Sequence, residues 1–296
     1  MGYWDKVPLI GSRSRSLPNA VRAHRSLRSR CFYVARTGRR HNARWQPLAS
    51  GARAGFVPAS AILKSMIRTL RCFDPHAIKL VIFDLDGTLI DSRLDLVHSV
   101  NAALRHIQRP ELAEHVIASY VGDGAPLLIR RALGGGEVDE ALVRKGLEFF
   151  LSYYREHKLD HTKVYPGIAD ALAAIQNSGN GVPRKMAVLT NKPVNPSRAI
   201  VEALGLGRYF LRVYGGNSFA TKKPEPEGAR QLLTEAGVRP QQAVMVGDSH
   251  VDVETGHNAG LWTVAVTYGF APHTLSETSP DVTVDDPQEL ATVFSR

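Results

Sequence analysis

The sequence predicts a doubly wound (Rossmann-like) parallel-sheet α/β core with an inserted helical cap subdomain. Three observations carry this. Short continuous apolar runs recur, amphipathic helical patterns separate them, and one long stretch early in the chain is helical without any strand run. The apolar runs are Leu80–Phe83, Met186–Leu189, Ala243–Val246 and Trp262–Val266. They do not alternate with polar residues, which is how strands covered on both faces read. Strand, helix, strand, helix order then predicts a parallel sheet between two helical layers.

The helices follow from spacing and punctuation. Ile168–Gln176 and Pro196–Leu204 place apolar residues three and four apart. Pro193 and Pro196 suit a helix start, and Gly205 suits a stop. Gly228–Ala236 closed by Gly237, and Asp252–Ala259 closed by Gly260, repeat the pattern. Between residues 92 and 163 the text reads as Leu94–Ile107, Glu111–Val121, Pro126–Leu133 and Glu137–His157, all helical. A structureless loop of that length is implausible inside a compact domain, so residues 92–163 are assigned as a helical subdomain inserted after the first strand. Residues 76–91 and 164–296 are assigned to the core.

Residues 1–75 stand apart by charge. The whole chain carries 37 Lys+Arg against 28 acids, a formal +9. Fifteen of those cations and only two acids, Asp5 and Asp74, fall before residue 76. The remainder is net acidic, so the high pI does not make the whole protein a nucleic-acid binder. The segment shows no sustained period and is expected to be a disordered basic extension. Three readings of residues 1–65 stay open: a start codon placed upstream of a working start at Met66, an organellar transit peptide, or an arm for nucleic acid or anionic membrane. Met1-Gly2-Tyr3-Trp4-Asp5 lacks the basic and apolar regions of a secretory signal.

Composition excludes several classes. At 44% hydrophobic and 22% charged, the chain is neither fibrous nor wholly disordered. No run approaches the ~18–20 apolar residues of a membrane-spanning helix. Two cysteines, Cys31 and Cys72, support neither a disulfide scaffold nor a cysteine zinc site. The expected setting is the cytoplasm, or an organelle if residues 1–65 are a transit peptide. The expected state is a monomer or homodimer.

The polar residues concentrate at strand ends. Asp84-Leu85-Asp86-Gly87-Thr88 follows the first run, and Thr190-Asn191-Lys192 the second. Gly247-Asp248-Ser249 and then Asp252 follow the third, while Lys222-Lys223-Pro224 lies between. In a doubly wound sheet those ends share one crevice. Carboxylates without His or Cys suit Mg²⁺ and substrate phosphate. A hydroxyl and backbone amides suit phosphate oxygens. A lysine supplies a fixed charge. Two carboxylates two residues apart suit covalent phosphoryl transfer. Each piece has a plain structural reading, a turn, a helix cap or a loop charge. The four fixed residues of Asp-x-Asp-Gly-Thr arise by chance in roughly one chain of this length in ~500, and joint order lowers that further.

These segments resemble the four motifs of the haloacid dehalogenase (HAD) superfamily. Gly87-Thr88-Leu89-Ile90-Asp91-Ser92, Tyr120-Val121-Gly122-Asp123-Gly124-Ala125, Tyr165-Pro166-Gly167, Thr190-Asn191-Lys192-Pro193 and Gly215-Gly216-Asn217-Ser218 resemble its phosphoglycolate phosphatases more narrowly. The resemblance spans about residues 77–294. It implies an aspartyl-phosphate mechanism with Asp84 as nucleophile and Asp86 as acid and base. It implies Mg²⁺ held by Asp84, Asp86 (through its main-chain carbonyl) and Asp248, with Asp252 at the edge of the metal shell. Thr190 and Asn191 would bind phosphate, and Lys223 would steady the charge. Gly122, Asp123 and Gly124 would form the cap loop that reaches the substrate. Dehalogenases proper lack an aspartate at the position of Asp86, so its presence favours a phosphatase. The implied substrate is small and phosphorylated, 2-phosphoglycolate first. A sugar-phosphate or nucleotide phosphatase is the alternative, and a nucleic-acid-tethered binding protein a further one. Arg130 and Arg131 read as a solvated helix face, and Asn217 departs from a frequent Asp.

Overall fold

The computed structural model describes residues 67–179 and 181–295. The readings attached to residues 1–66 lie outside them. Among the described residues no helix is long and apolar enough to cross a membrane. The strands are β1 (Ile67–Thr69), β2 (Leu80–Phe83), β3 (Ile90–Asp91), β4 (Lys163–Val164), β5 (Lys185–Leu189), β6 (Arg212–Tyr214), β7 (Ala243–Gly247), β8 (Trp262–Val266) and β9 (Val282–Val284). The α-helices are α1 (Arg93–His106), α2 (Glu114–Ala118), α3 (Ala125–Ala132), α4 (Glu140–His157), α5 (Ile168–Asn177), α6 (Val194–Ala203), α7 (Glu227–Ala236) and α8 (His250–Ala259).

Seven strands form one sheet in the order β1-β9-β8-β7-β2-β5-β6. All neighbours pair in parallel except β1 on β9. β2 sits centrally, with Val81 opposite both Met186 and Val244. Its side chains are fully buried on both faces. Leu80 and Ile82 pack with Leu232, Leu233 and Met245 on one side. Val81 and Phe83 pack with Val188, Val246 and Ile200 on the other. Each such side chain contributes about 1.5–3 kcal/mol on burial, so an uninterrupted apolar run is what this position requires.

The cap helices α1–α4 leave and rejoin the core through the short antiparallel pair β3–β4, in which Ile90 faces Val164. One stripe of α4, Val143, Gly146, Phe150 and Tyr154, is buried at helical spacing. Two boundaries differ from the periodicity. The expected helix Glu111–Val121 shrinks to α2, because Asn101 brackets the main chain of Leu112, donating to its carbonyl and accepting from its N–H, both at 3.0 Å. That holds the chain extended where the pattern suggested a turn of helix. α4 begins at Glu140 rather than Glu137, capped by Asp139, whose Oδ1 accepts from the Ala141 N–H at 2.9 Å.

Three short strands of this sheet, the edge strands β1 and β6 and the penultimate β9, lie outside the four expected runs. β6 and β9 have three residues each, too short for a continuous apolar run. β1 lies within the 1–75 segment set apart by charge, so that boundary is corrected: residues 67–69 belong to the sheet. Arg68 pairs with Asp285 at 2.8 Å and Arg71 with Asp281 at 2.6 Å. Two of the cations counted as a free basic arm are therefore partners of the sheet edge.

Candidate active site

The site forms at the carboxyl ends of β2, β5 and β7. Asp84 extends β2, its N–H donating to the Val246 carbonyl at 2.8 Å. The chain then turns sharply, with the N–H groups of Leu89 and Ile90 both returning to the Leu85 carbonyl. Gly87 makes that turn with φ +81°, and a Cβ there would stand 2.4 Å from Asp248 Oδ2. Only glycine fits both the conformation and the approach. Asp248 follows β7, and Ser249 with Asp252 forms a capping box that starts α8.

Lys223 joins the pieces. Its Nζ donates to Asp84 Oδ1 at 2.7 Å and to Asp252 Oδ1 at 2.5 Å, and all three side chains are buried. Asp252 Oδ2 accepts from the Ser249 main chain and hydroxyl. Asp248 Oδ2 accepts from the Phe270 and Ala271 N–H groups at 2.6 and 3.1 Å. Carboxylate oxygens of Asp84, Asp248 and Asp252 lie within 4.8 Å of one another. Asp252 is the most committed of the three, both oxygens already accepting.

The buried charges of this cluster do not balance among its own side chains. Burial raises the Asp84 carboxyl to about 6; Lys223 opposes that and Asp252 adds to it. Burial, then the charges of Asp252 and Asp84, push Asp248 up to about 8. Burial disfavours the Lys223 ammonium, but the two aspartates outweigh it and hold its pKa above the ordinary lysine value. Three buried carboxylates with one lysine leave an excess of negative charge. A hard divalent cation on Asp84 and Asp248 fits that donor set.

Asp86 points elsewhere. Its carboxylate accepts from Lys192 Nζ at 2.8 and 2.9 Å and from the Ser92 hydroxyl. Its side chain is thus outside the carboxylate cluster, which leaves only its main chain for the metal role that the resemblance implied. Lys192 is buried, its pKa held above the ordinary lysine value by Asp86 and Tyr154 against the cost of burial. Its ammonium lies 4.6 Å from the centre of the Tyr154 ring on α4. Lys192 belongs to the Thr190-Asn191-Lys192 segment, and the resemblance implies no role for it. Its position straight after Thr190-Asn191 was the available signal.

A cavity of about 490 Å³ lies between core and cap. Asp84, Asp86, Thr190, Lys192 and Asp248 line its floor, and Val121, Leu128, Phe150 and Tyr154 its cap side. Gly122 and Gly124 also line it. Gly124 has φ +90°, and a Cβ there would lie 3.0 Å from the Asn191 carbonyl. Asp123 turns away, its carboxylate on Arg131 at 2.7 Å and its carbonyl accepting from Lys222. Asn191 does not offer its amide nitrogen to the cavity. Nδ2 donates to the carbonyls of Gly122 at 3.0 Å and Lys223 at 3.1 Å. That nitrogen ties the cap loop to the core. Arg130 pairs with Glu140, and Asn217 Oδ1 accepts from the Val194 N–H, holding the start of α6.

Residues 81–266 match the family of haloacid dehalogenase-like hydrolases. The chain belongs to that family. This hydrolase is 38% identical over 217 residues to a phosphoglycolate phosphatase of Pseudomonas syringae pv. tomato, covering 72% of the chain and 78% of that protein. It is 35% identical over 223 residues to a phosphoglycolate phosphatase of Haemophilus influenzae, covering 73% of the chain and 98% of the relative. A crystal structure of a predicted phosphoglycolate phosphatase from Haemophilus somnus 129pt superposes with TM-score 0.68 at 32% identity, over 73% of this chain and 98% of that one.

Proposed function

We propose that this hydrolase is a Mg²⁺-dependent phosphatase that splits 2-phosphoglycolate into glycolate and phosphate through a phosphorylated Asp84. The observation that carries the reading is the convergence of Asp84, Asp86 and Asp248 on the floor of one cavity, with the buried Lys223 bonded to Asp84. The similarity to phosphoglycolate phosphatases supports the choice of ester.

The chemistry follows from the groups. Asp84 Oδ1 is fixed by Lys223, which leaves Oδ2 for attack on phosphorus. As that oxygen–phosphorus bond forms, the ester bond breaks, and Asp86 gives a proton to the leaving alcohol. Asp86 then takes a proton from the water that attacks the phospho-aspartate, and phosphate departs. Lys192 and Ser92 fix the position of the Asp86 side chain, and the Lys192 charge stabilises the carboxylate left once its proton is given up. The Thr190 hydroxyl, at the same floor, would bind a phosphate oxygen. Mg²⁺, held by Asp84, Asp248 and the Asp86 main chain with Asp252 at the edge, would offset repulsion between carboxylate and phosphate dianion. The cap excludes bulk water, which strengthens each of these interactions.

The cavity argues against a sugar-phosphate. Its cap side is mostly apolar, and a polyhydroxy leaving group would lose hydrogen bonds there. The test is phosphate release from 2-phosphoglycolate, glucose 6-phosphate, a nucleoside monophosphate and pyrophosphate, with Mg²⁺ or with EDTA. The reading expects 2-phosphoglycolate to lead in kcat/KM and EDTA to abolish turnover. A panel led by glucose 6-phosphate would overturn the substrate, and EDTA-resistant turnover the metal.

A further inference from the structure

We propose that Lys192 and Tyr154 together form the subsite for the substrate's carboxylate, one from the core and one from the cap. The proposal rests on the phosphoglycolate reading and assigns the residues that read its second anionic group.

Lys192 has more than a structural part. A lysine serving only as counter-ion to Asp86 need not line the cavity, yet Lys192 does. Its ammonium has three protons, and Asp86 offers it two oxygens, at 2.8 and 2.9 Å. The third proton faces the Tyr154 side chain, on the cavity side of the pair. Tyr154 closes the same corner from α4. It is 4% exposed and lines the cavity. Its hydroxyl is buried beside the Lys192 ammonium but makes no well-formed hydrogen bond. A buried hydroxyl without a well-formed hydrogen bond is costly, and a ligand carboxylate beside the pair would give the hydroxyl an acceptor and the ammonium a second counter-charge.

Substrate geometry places a carboxylate there. Asp86 acts at the ester oxygen. In 2-phosphoglycolate the carboxyl carbon is two bonds from that oxygen, roughly 2.4 Å. The group that holds Asp86 is therefore within reach of the carboxylate. Charge points the same way. Lys223 is already shared between Asp84 and Asp252, whereas Lys192 faces one carboxylate only. Arg155 and Lys158 also line the cavity, from the last turn of α4 and just beyond it. Arg155 is exposed, and Lys158 Nζ donates to the Arg155 carbonyl. Water screens charges at such a rim.

The experiment compares 2-phosphoglycolate with ethyl phosphate, which replaces the carboxylate by a methyl. The readout is the ratio of their kcat/KM values. It is measured for the full chain, for Lys192→Met, for Tyr154→Phe, and for Arg155→Ala with Lys158→Ala. We expect a wild-type ratio well above one. Lys192→Met and Tyr154→Phe should each lower it by about tenfold or more, the loss of a charge-assisted or buried hydrogen bond. For Tyr154→Phe the change should fall mainly on KM. The rim double variant should keep the ratio within about twofold. Tyr154→Phe alters one atom and keeps the test alive if Lys192→Met fails to fold. A wild-type ratio near one would overturn the substrate reading and this subsite with it. A high wild-type ratio that survives both site variants, or falls only in the rim variant, would overturn the subsite alone.

Discussion

At the scale of single residues the strongest expectation concerns Asp84. Asparagine has nearly the same shape but cannot attack phosphorus, so Asp84→Asn should lower kcat by at least ~10³-fold on 2-phosphoglycolate. Stopped-assay phosphate release measures this, and a variant retaining a tenth of its turnover would sink the covalent route. A second expectation comes from the raised carboxyls. Asp84 at about 6 and Asp248 at about 8 bind protons in the folded chain that they release when unfolded. Ionising them in the metal-free fold is a cost that grows as pH rises through those values, and a bound cation removes it. Mg²⁺ should therefore raise the melting temperature more at pH 8.5 than at pH 6, and Asp248→Asn should blunt the difference. Equal shifts at both pH values would contradict the assignment. The residues behind both expectations were legible because a short motif at a strand end carries its position with it. Lys192 and Tyr154 were not. Their meaning depends on contacts with Asp86, 106 residues before Lys192, and between cap and core, which no local pattern encodes. The Asn191 side chain likewise has a contact that no local pattern encodes, its amide donating to Gly122 of the cap loop.

At the scale of elements the joint between cap and core depends on one buried aspartate. Asp95, in the first turn of α1, accepts from the N–H groups of His161 and Thr162, the Thr162 hydroxyl and the His161 ring, at 2.6–3.1 Å. Those residues lead directly into β4. Burial raises the Asp95 carboxyl, but the hydrogen bonds from Thr162 and His161 outweigh it and hold it below the ordinary value. Asp95→Asn should cost about 2–3 kcal/mol of stability at pH 7, because hydrogen bonds to a charged acceptor are lost or weakened. The wild-type advantage is present above the unfolded carboxylate pKa of about 3.9 and disappears as pH falls through the lower folded value. Urea unfolding at pH 7 and at pH 3 checks this. A gap of the same size at both pH values would mean that packing, not charge, makes the contact. Sequence period could not show this joint. β3 and β4 are two residues each, too short to alternate, and the link between Asp95 and Thr162 spans most of the cap. The long helices α1, α4 and α5 were legible because their apolar stripes run over several turns. Where a side chain overrides the backbone pattern, as Asn101 does at Leu112, the boundary moved.

At the scale of the whole molecule the question is how much of the chain the enzyme uses. The candidate site residues lie between Asp84 and Asp252, and the described sheet begins at Ile67. Net charge alone placed the boundary at residue 75, since Arg68 and Arg71 looked like members of a basic run. A count of charges cannot register that their partners, Asp285 and Asp281, come more than 200 residues later. Asp281 is buried and also accepts from Thr263, so removing Arg71 would leave an uncompensated carboxylate. Phe73 packs on Trp262 and Phe294, and the Pro75 carbonyl accepts from the buried Arg184. A chain that starts at Met66 should therefore keep kcat/KM for 2-phosphoglycolate within about twofold. A chain that starts at His76 should lose about 2–4 kcal/mol, which at this size lowers the melting temperature by roughly 5–15 °C. Thermal unfolding and kinetics on the two lengths separate the cases. Equal melting temperatures would show that β1 adds nothing to the sheet. Loss of activity in the longer chain, with its melting temperature intact, would place part of the reaction's machinery within residues 1–65, the basic segment whose charge first set it apart.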